Sequence, residues 1–336
     1  MTSTSLADAT STDAAFAEIV DELTRRGLLA GGIGTLGVLS LTACGGSSEK
    51  TAGPTSSASA RRTVESAYGR VEVPAEPKRV VALSKAAIAT LLDVGLTPIG
   101  TDDDEAPVAL PQYQKTIAAL PTVGSYGKFN VEKIAALRPD LVISYDTYLD
   151  ADLYAQVSTV APTVAVKTDK GNISWQDATA TFAAAVNRST QLDVLATTYA
   201  ARIASVAKRY ADQLAGNRWE VVQNAGTSNF FRYLPSSDPS GILARLGARL
   251  GNAAATGPNY WGKEHSYETL DGQLGHAEVI LYVKVNSNEL VSQQLWRDLP
   301  AVGDGHAYGT DLLFPASYSG AIALVDLIAG VCRDLR

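Results

Sequence analysis

Residues 132–145 read EKIAALRPDLVISY and residues 268–282 read ETLDGQLGHAEVILY. Each is a short helical segment that feeds an apolar, β-branched run and stops on a tyrosine, Tyr145 in the first and Tyr282 in the second. Glu132 stands thirteen residues before its tyrosine and Glu268 fourteen before its own. A short apolar run reached from a helix reads as a strand buried on both faces. The same unit at matching places in two halves of one chain predicts duplicated α/β lobes.

The alternation extends outward from both stretches. Before and after the first lie RVVALS (79–84), AAIATLLDVG (86–95), PIGT (98–101), LYAQVSTVA (153–161) and PTVAVK (162–167). Around the second lie RWEVVQNAG (218–226), SGILARLGA (240–248), AEVILYVKV (277–285), GHAYG (305–309) and GAIALVDLIAGVC (320–332). Strands that alternate with helices imply parallel sheets with crossover connections. Between the two runs, Ser174 and Asp177 make an approximate capping pair, and Trp175, Ala178, Phe182 and Val186 keep one apolar face. Leu192, Leu195, Tyr199, Ile203, Val206 and Tyr210 form a second stripe. A helix from about residue 174 to 190 would be roughly 25 Å long, enough to run from one lobe to the other. The expected fold is therefore α/β, two Rossmann-like lobes joined by a single long helix. The first lobe is placed at 63–172, the helical linker at 173–214 and the second lobe at 215–336.

The N-terminus reads differently. Gly32 to Gly37 spell GxGxxG, but no strand precedes them and the context is Arg25–Arg26, a short apolar run and LTAC ending at Cys44. A basic pair, an apolar stretch and a small-residue cleavage site are the parts of an export signal, so the glycines belong to its apolar segment and not to a dinucleotide loop. TRRGLLA resembles a twin-arginine signal and LTAC a lipobox. Residues 1–43 are read as a signal peptide, Cys44 as the lipidated first residue of the processed chain, and 44–62, rich in Gly, Ser, Thr and Pro, as a flexible tether. The processed chain keeps 26 of 28 basic and 30 of 35 acidic residues, a formal charge of −4, which argues against a nucleic-acid partner. With Cys44 lipidated, Cys332 in an apolar run is left as a buried structural thiol.

Taken in order, YGRVEVPAEPKRVVALS (68–84), LLDVGLTPIG (91–100), PTVGSYGKFNVEKIAALRPDLVIS (121–144) and LPAVGDGHAYGTD (299–311) resemble the substrate-binding lipoproteins of ABC importers for ferric siderophores, haem and cobalamin. The resemblance spans essentially the whole processed chain. It implies a monomer with a shallow cleft between two lobes, a ligand that is carried and not transformed, no cofactor, and delivery to a membrane permease. It also implies that one acidic residue on each lobe docks with permease arginines, and Glu132 and Glu268 match those positions. The alternative for both is a solvated glutamate at a helix start, where it suits the dipole.

Open α/β sheets bind ligands at the C-terminal ends of their strands. That rule selects Lys85, Tyr126, Lys128, Tyr145 and Tyr148 in the first half. In the second it selects Phe231, Arg232 and Tyr233 of NFFRY, and Tyr260 and Trp261 of NYWGKEH, all read as clustered loop residues. Aromatic rings suit the organic exterior of a chelate, and Arg232 could donate to chelate oxygens. A ferric hydroxamate siderophore is slightly favoured because Arg232 alone stands well placed among aromatics; catecholate, mixed chelates, haem and cobalamin stay open. A bare-metal site converging from both lobes is disfavoured, since His265, His276 and His306 all follow the linker. His265 is the one histidine read as a possible ligand contact. No GxSxG or HExxH supports an enzyme, and the carboxylate run TDDDEAP at 101–107 reads as a solvated turn.

Overall fold

The computed structural model describes residues 60–102, 109–168, 173–255 and 261–335. The expected signal peptide, Cys44, nearly all of the tether and most of the TDDDEAP run lie outside these residues. The last three tether positions do not: Ala60 is described, and Arg61 and Arg62 already belong to a strand.

The chain begins with an antiparallel hairpin, β1 (Arg61–Ser66) and β2 (Gly69–Pro74). There follow β3 (Val80–Ala82), α1 (Lys85–Asp93), β4 (Gly100–Thr101), α2 (Pro111–Ala118), the short hairpin of β5 (Gly124–Ser125) and β6 (Lys128–Phe129), α3 (Val131–Ala136), β7 (Leu141–Tyr145), α4 (Ala151–Ser158) and β8 (Thr163–Val166). The first sheet runs β4-β3-β7-β8 with every pair parallel. Both faces are covered, and the period of two divides its side chains between two cores. Val80, Ala82, Leu141, Ile143, Val164 and Val166 meet α1 and the linker, while Val81, Leu83 and Val142 meet Phe129, Ile134, Leu149 and Val157.

The linker departs from the expected single span. Helix α5 (Trp175–Ala185) ends at Val186, and Asn187 turns left-handed at φ 57° before α6 (Ser189–Arg209) begins. Asparagine tolerates that conformation, and Glu76 holds the break by accepting from Asn187 Nδ2 at 2.6 Å and Arg188 Nη1 at 2.9 Å. The long helix is therefore α6, whose 21 residues span about 31 Å at 1.5 Å per residue. A short α7 (Ala211–Gly216) follows.

The second sheet contains β9 (Arg218–Ala225), β10 (Asn229–Tyr233), β11 (Arg249–Leu250), β12 (Gly262–Ser266), β13 (Val279–Val283) and β14 (Ala307–Thr310). Its helices are α8 (Asp238–Arg245), α9 (Leu270–Leu274), α10 (Asn288–Ser292), α11 (Gln294–Arg297), α12 (Pro300–Gly303) and the terminal α13 (Tyr318–Asp334). The order is β12-β10-β9-β13-β14, with β11 also on β9. Strands β9, β13 and β14 run parallel, but β10 is antiparallel to both its neighbours. NFFRY is thus a strand and not a loop, which fixes where each of its side chains can point.

Helix α13 ties the halves together. Ser317 caps it, and Asp93 at the end of α1 accepts from Ser319 N at 2.9 Å and from the Tyr113 hydroxyl at 2.7 Å. Burial pushes the Asp93 carboxyl above the usual carboxylate range, against the pull of these hydrogen bonds. Farther along, Asp326 pairs with Arg202 of α6, and Leu324, Val325, Ile328 and Cys332 are buried. Burial also pushes the Cys332 thiol up to about 12, as expected for a structural cysteine. Trp175, Tyr199 and Tyr318, from α5, α6 and α13, pack edge to face with centroids 4.8–5.8 Å apart. Among the described residues no helix is long and apolar enough to cross a membrane.

Candidate ligand-binding site

In the first lobe three of the expected residues come together. Tyr145 ends β7, Tyr148 follows in the next turn, where its N–H donates to the Tyr145 carbonyl at 3.2 Å, and Tyr126 sits at the tip of the β5–β6 hairpin. That hairpin requires Gly124: its φ is 131°, and a Cβ there would lie 2.4 Å from the Lys128 carbonyl oxygen. The Tyr126 and Tyr148 rings meet edge to face at 4.5 Å, and Tyr145 lies 5.9 Å from Tyr148. Tyr126 is 56% exposed, an open aromatic ledge. Tyr145 is held from behind by Phe182 of α5, and burial raises its phenol pKa, with Tyr148 and Asp238 adding to the shift. Tyr145 therefore serves as a neutral donor, and the three rings together as an apolar surface. Lys128 lies exposed beside this hairpin. Lys85 opens α1 one strand over, half-buried, because Ser84 caps the helix where β3 ends.

The second lobe separates its candidates by strand alternation. Phe231 and Tyr233 share one face of β10, and their rings meet edge to face at 5.2 Å. Phe314 lies 5.4 Å from Tyr233 and 6.0 Å from Trp261, completing an aromatic cluster. Gly262 makes room for it, since a Cβ there would come within 2.4 Å of the Phe231 ring. Phe314 also lines a cavity with Lys85, Ile88, Tyr113 and Asp311, so this cluster borders the junction with the first lobe. That cavity, about 30 Å³, holds water-sized guests only and is too small for a chelate.

Arg232 does not join the cluster. It faces the opposite side of β10 with Phe230, and its guanidinium grips the buried Glu220, with Nε to Oε2 at 2.9 Å and Nη2 to Oε1. Nη1 donates to Gln273 at 3.1 Å, and His276 lies 3.0 Å from the same carboxylate. The expected donor to a chelate is instead half of an internal ion pair, and it could have been doubted from the alternation of NFFRY alone. His265 is on that same face, stacked with Phe230 at 5.5 Å; burial and the charges of Lys263 and Arg232 lower its pKa. Tyr260 lies outside the described residues. Phe314 was missed by the sequence reading, although it follows the end of β14 by four residues and the strand-end rule reaches it.

Glu132 and Glu268 occupy equivalent local settings. Asn130 caps α3 by accepting from Lys133 N at 2.9 Å, and Ser266 caps the single 3₁₀ turn before α9. Each glutamate is exposed in the first turn, where a carboxylate is favoured by the helix dipole.

Two α/β lobes joined by a helical linker, one carrying the rings of Tyr126, Tyr145 and Tyr148 and the other those of Phe231, Tyr233, Trp261 and Phe314, are the architecture of a two-lobed binding protein. The family model "Periplasmic binding protein" matches residues 80–312, and the chain belongs to that family. YhfQ of Bacillus subtilis strain 168, provisionally named an ABC transporter substrate-binding lipoprotein, is 30% identical over 285 residues, covering 77% of this chain and 84% of that protein. The Fe(3+)-citrate-binding protein YfmC of the same organism is 24% identical over 283 residues, covering 82% and 86%. Among solved structures, the siderophore periplasmic binding protein from the fuscachelin gene cluster of Thermobifida fusca superposes with a TM-score of 0.68 at 25% identity, covering 78% of this chain and 98% of that one.

Proposed function

We propose that this protein is a lipid-anchored extracytoplasmic receptor that captures a ferric siderophore and hands it to an ABC permease. The observation that carries the reading is the pair of aromatic surfaces, Tyr126, Tyr145 and Tyr148 from one lobe and Phe231, Tyr233, Trp261 and Phe314 from the other. Rings of this kind bury the organic shell of a chelate with few rotors to freeze. The siderophore and ferric-citrate ligands of the neighbours lend the class its support. Glu132 and Glu268 serve as the two permease contacts, one per lobe, and Cys44 as the anchor.

Within that class a ferric hydroxamate is favoured. The charge of Arg232 is consumed by Glu220, and Asp311 adds a carboxylate to the cavity lining. Lys85 and Lys128 are the remaining cations in the candidate set, too few to neutralise a tris-catecholate or a citrate complex in a partly dry site. A neutral or weakly cationic chelate meets no such demand. The test is a tryptophan-fluorescence titration of residues 45–336 with a ferric hydroxamate, a ferric catecholate, ferric citrate, haem, cobalamin and zinc. Saturation at micromolar or tighter Kd by the hydroxamate supports the reading. Preference for catecholate or citrate sinks the charge argument, and response to zinc alone sinks the chelate reading.

A further inference from the structure

One residue outside the first sheet touches the segment that carries the first-lobe ledge. Tyr68 lies at the turn of the β1–β2 hairpin, outside the first sheet. Its ring stacks on Tyr154 of α4 at 4.1 Å and 27°, and its hydroxyl donates to the Leu149 carbonyl at 2.6 Å. Leu149 is the residue after Tyr148, and its side chain is fully buried in the core beneath.

The hairpin is itself fixed. Ala67 N donates to the Ala165 carbonyl at 2.8 Å and Ala165 N donates to Ser66 Oγ at 3.0 Å, which docks the turn on β8. Gly69 adopts φ 106°, the conformation that lets the chain reverse directly after Tyr68. On the other side, the segment 146–150 is pinned at both ends. Asp146 accepts from Thr168 N at 3.1 Å and Thr168 Oγ1 at 2.7 Å, and Asp150 caps α4 by accepting from Leu153 N at 2.8 Å. Between these pins stands Tyr148, whose ring supports the exposed Tyr126.

We propose that Tyr68 is a positioning residue of the ligand site, acting through the Leu149 carbonyl to hold Tyr148, and with it Tyr126, in the orientation that receives the chelate. The inference rests on Tyr148 belonging to that site. The hydrogen bond fixes the peptide just beyond Tyr148, so losing it frees the backbone that aims the ring, whereas the stack on Tyr154 keeps the hairpin in place. Burial and the nearby Asp146 and Asp150 carboxylates keep the Tyr68 phenol protonated, so it stays a donor.

Tyr68→Phe removes the donor and keeps the ring. Amide hydrogen exchange of residues 146–150, without ligand, should quicken in this variant while the melting temperature barely moves. Titration with ferrioxamine B as the hydroxamate probe should show affinity lowered about three- to ten-fold, the range of one hydrogen bond. In a Tyr148→Ala background, Tyr68→Phe should change affinity no further. Unchanged exchange, or an affinity loss that persists undiminished in the Tyr148→Ala background, overturns the positioning role while leaving the site intact. If Tyr148→Ala binds the probe like the wild type, or the wild type does not bind it, the site reading fails first and the proposal falls with it.

Discussion

Replacing Arg232 with alanine separates an internal ion pair from a ligand contact. Glu220 has a fully buried side chain and Arg232 one only 13% exposed, so the variant strands a carboxylate away from water. Breaking such a pair from one side costs about 3–5 kcal/mol, and His276, 3.0 Å away, keeps the figure near the lower end. At about 2–4 °C per kcal/mol for a domain of this size, the melting temperature should fall by about 6–12 °C. Chelate affinity, measured at a temperature where both proteins are folded, should stay within about two-fold. Circular dichroism melts beside fluorescence titrations provide the assay, and the double variant Glu220→Leu with Arg232→Met provides the control. Apolar residues of similar volume in place of both partners should recover most of the stability. An unchanged melt with a ten-fold or greater loss of affinity would show that the guanidinium reaches the ligand and refute the internal-pair reading.

Asp93 gives a pH test. Its folded pKa lies above the unfolded value, so its favourable contribution is complete below about pH 3.9 and is lost as pH rises through the folded value. Asp93→Asn should therefore lose that dependence, and the stability of wild type minus variant should fall as pH rises from about 4; parallel pH–melting profiles would count against it. Reversing Glu132 and Glu268 together to lysine should leave chelate affinity unchanged and abolish uptake in cells, because exposed charges act on partner encounter more than on folding. Uptake at the wild-type rate would make them ordinary surface residues. Phe182→Ala should cost about 3–5 kcal/mol by emptying a fully buried site. It should also weaken chelate binding, since Tyr145 loses the ring 5.4 Å behind it; a stability loss with unchanged affinity would show that Tyr145 needs no such support.

The two motifs EKIAALRPDLVISY and ETLDGQLGHAEVILY could be read from sequence because their structure is local. A side-chain cap two or three residues from the N–H that donates to it and an alternation of two along a strand are written in near neighbours, and both lobes followed from them. The strand-end rule selected Tyr126, Tyr145 and Tyr148, whose rings meet near the C-terminal end of β7, and local capping exposed Glu132 and Glu268 in first turns. NFFRY shows the limit. Alternation dictates that Phe231 and Tyr233 share one face and Arg232 the other, but not which face looks toward the junction. That was decided by Glu220, twelve residues earlier on β9, and by Phe314, eighty-one residues after Tyr233, reached only through four further strands. The tie between Ser319 and Asp93 spans 226 residues, and that between Tyr68 and Leu149 spans 81. Contacts at such separations carry no local signal, because each partner's own neighbours leave it free until the sheets and helices have packed. The sequence by itself thus determined most of the elements, their alternation and the family; the tertiary structure decided where the linker breaks, that NFFRY is a strand, and which face each of its side chains serves.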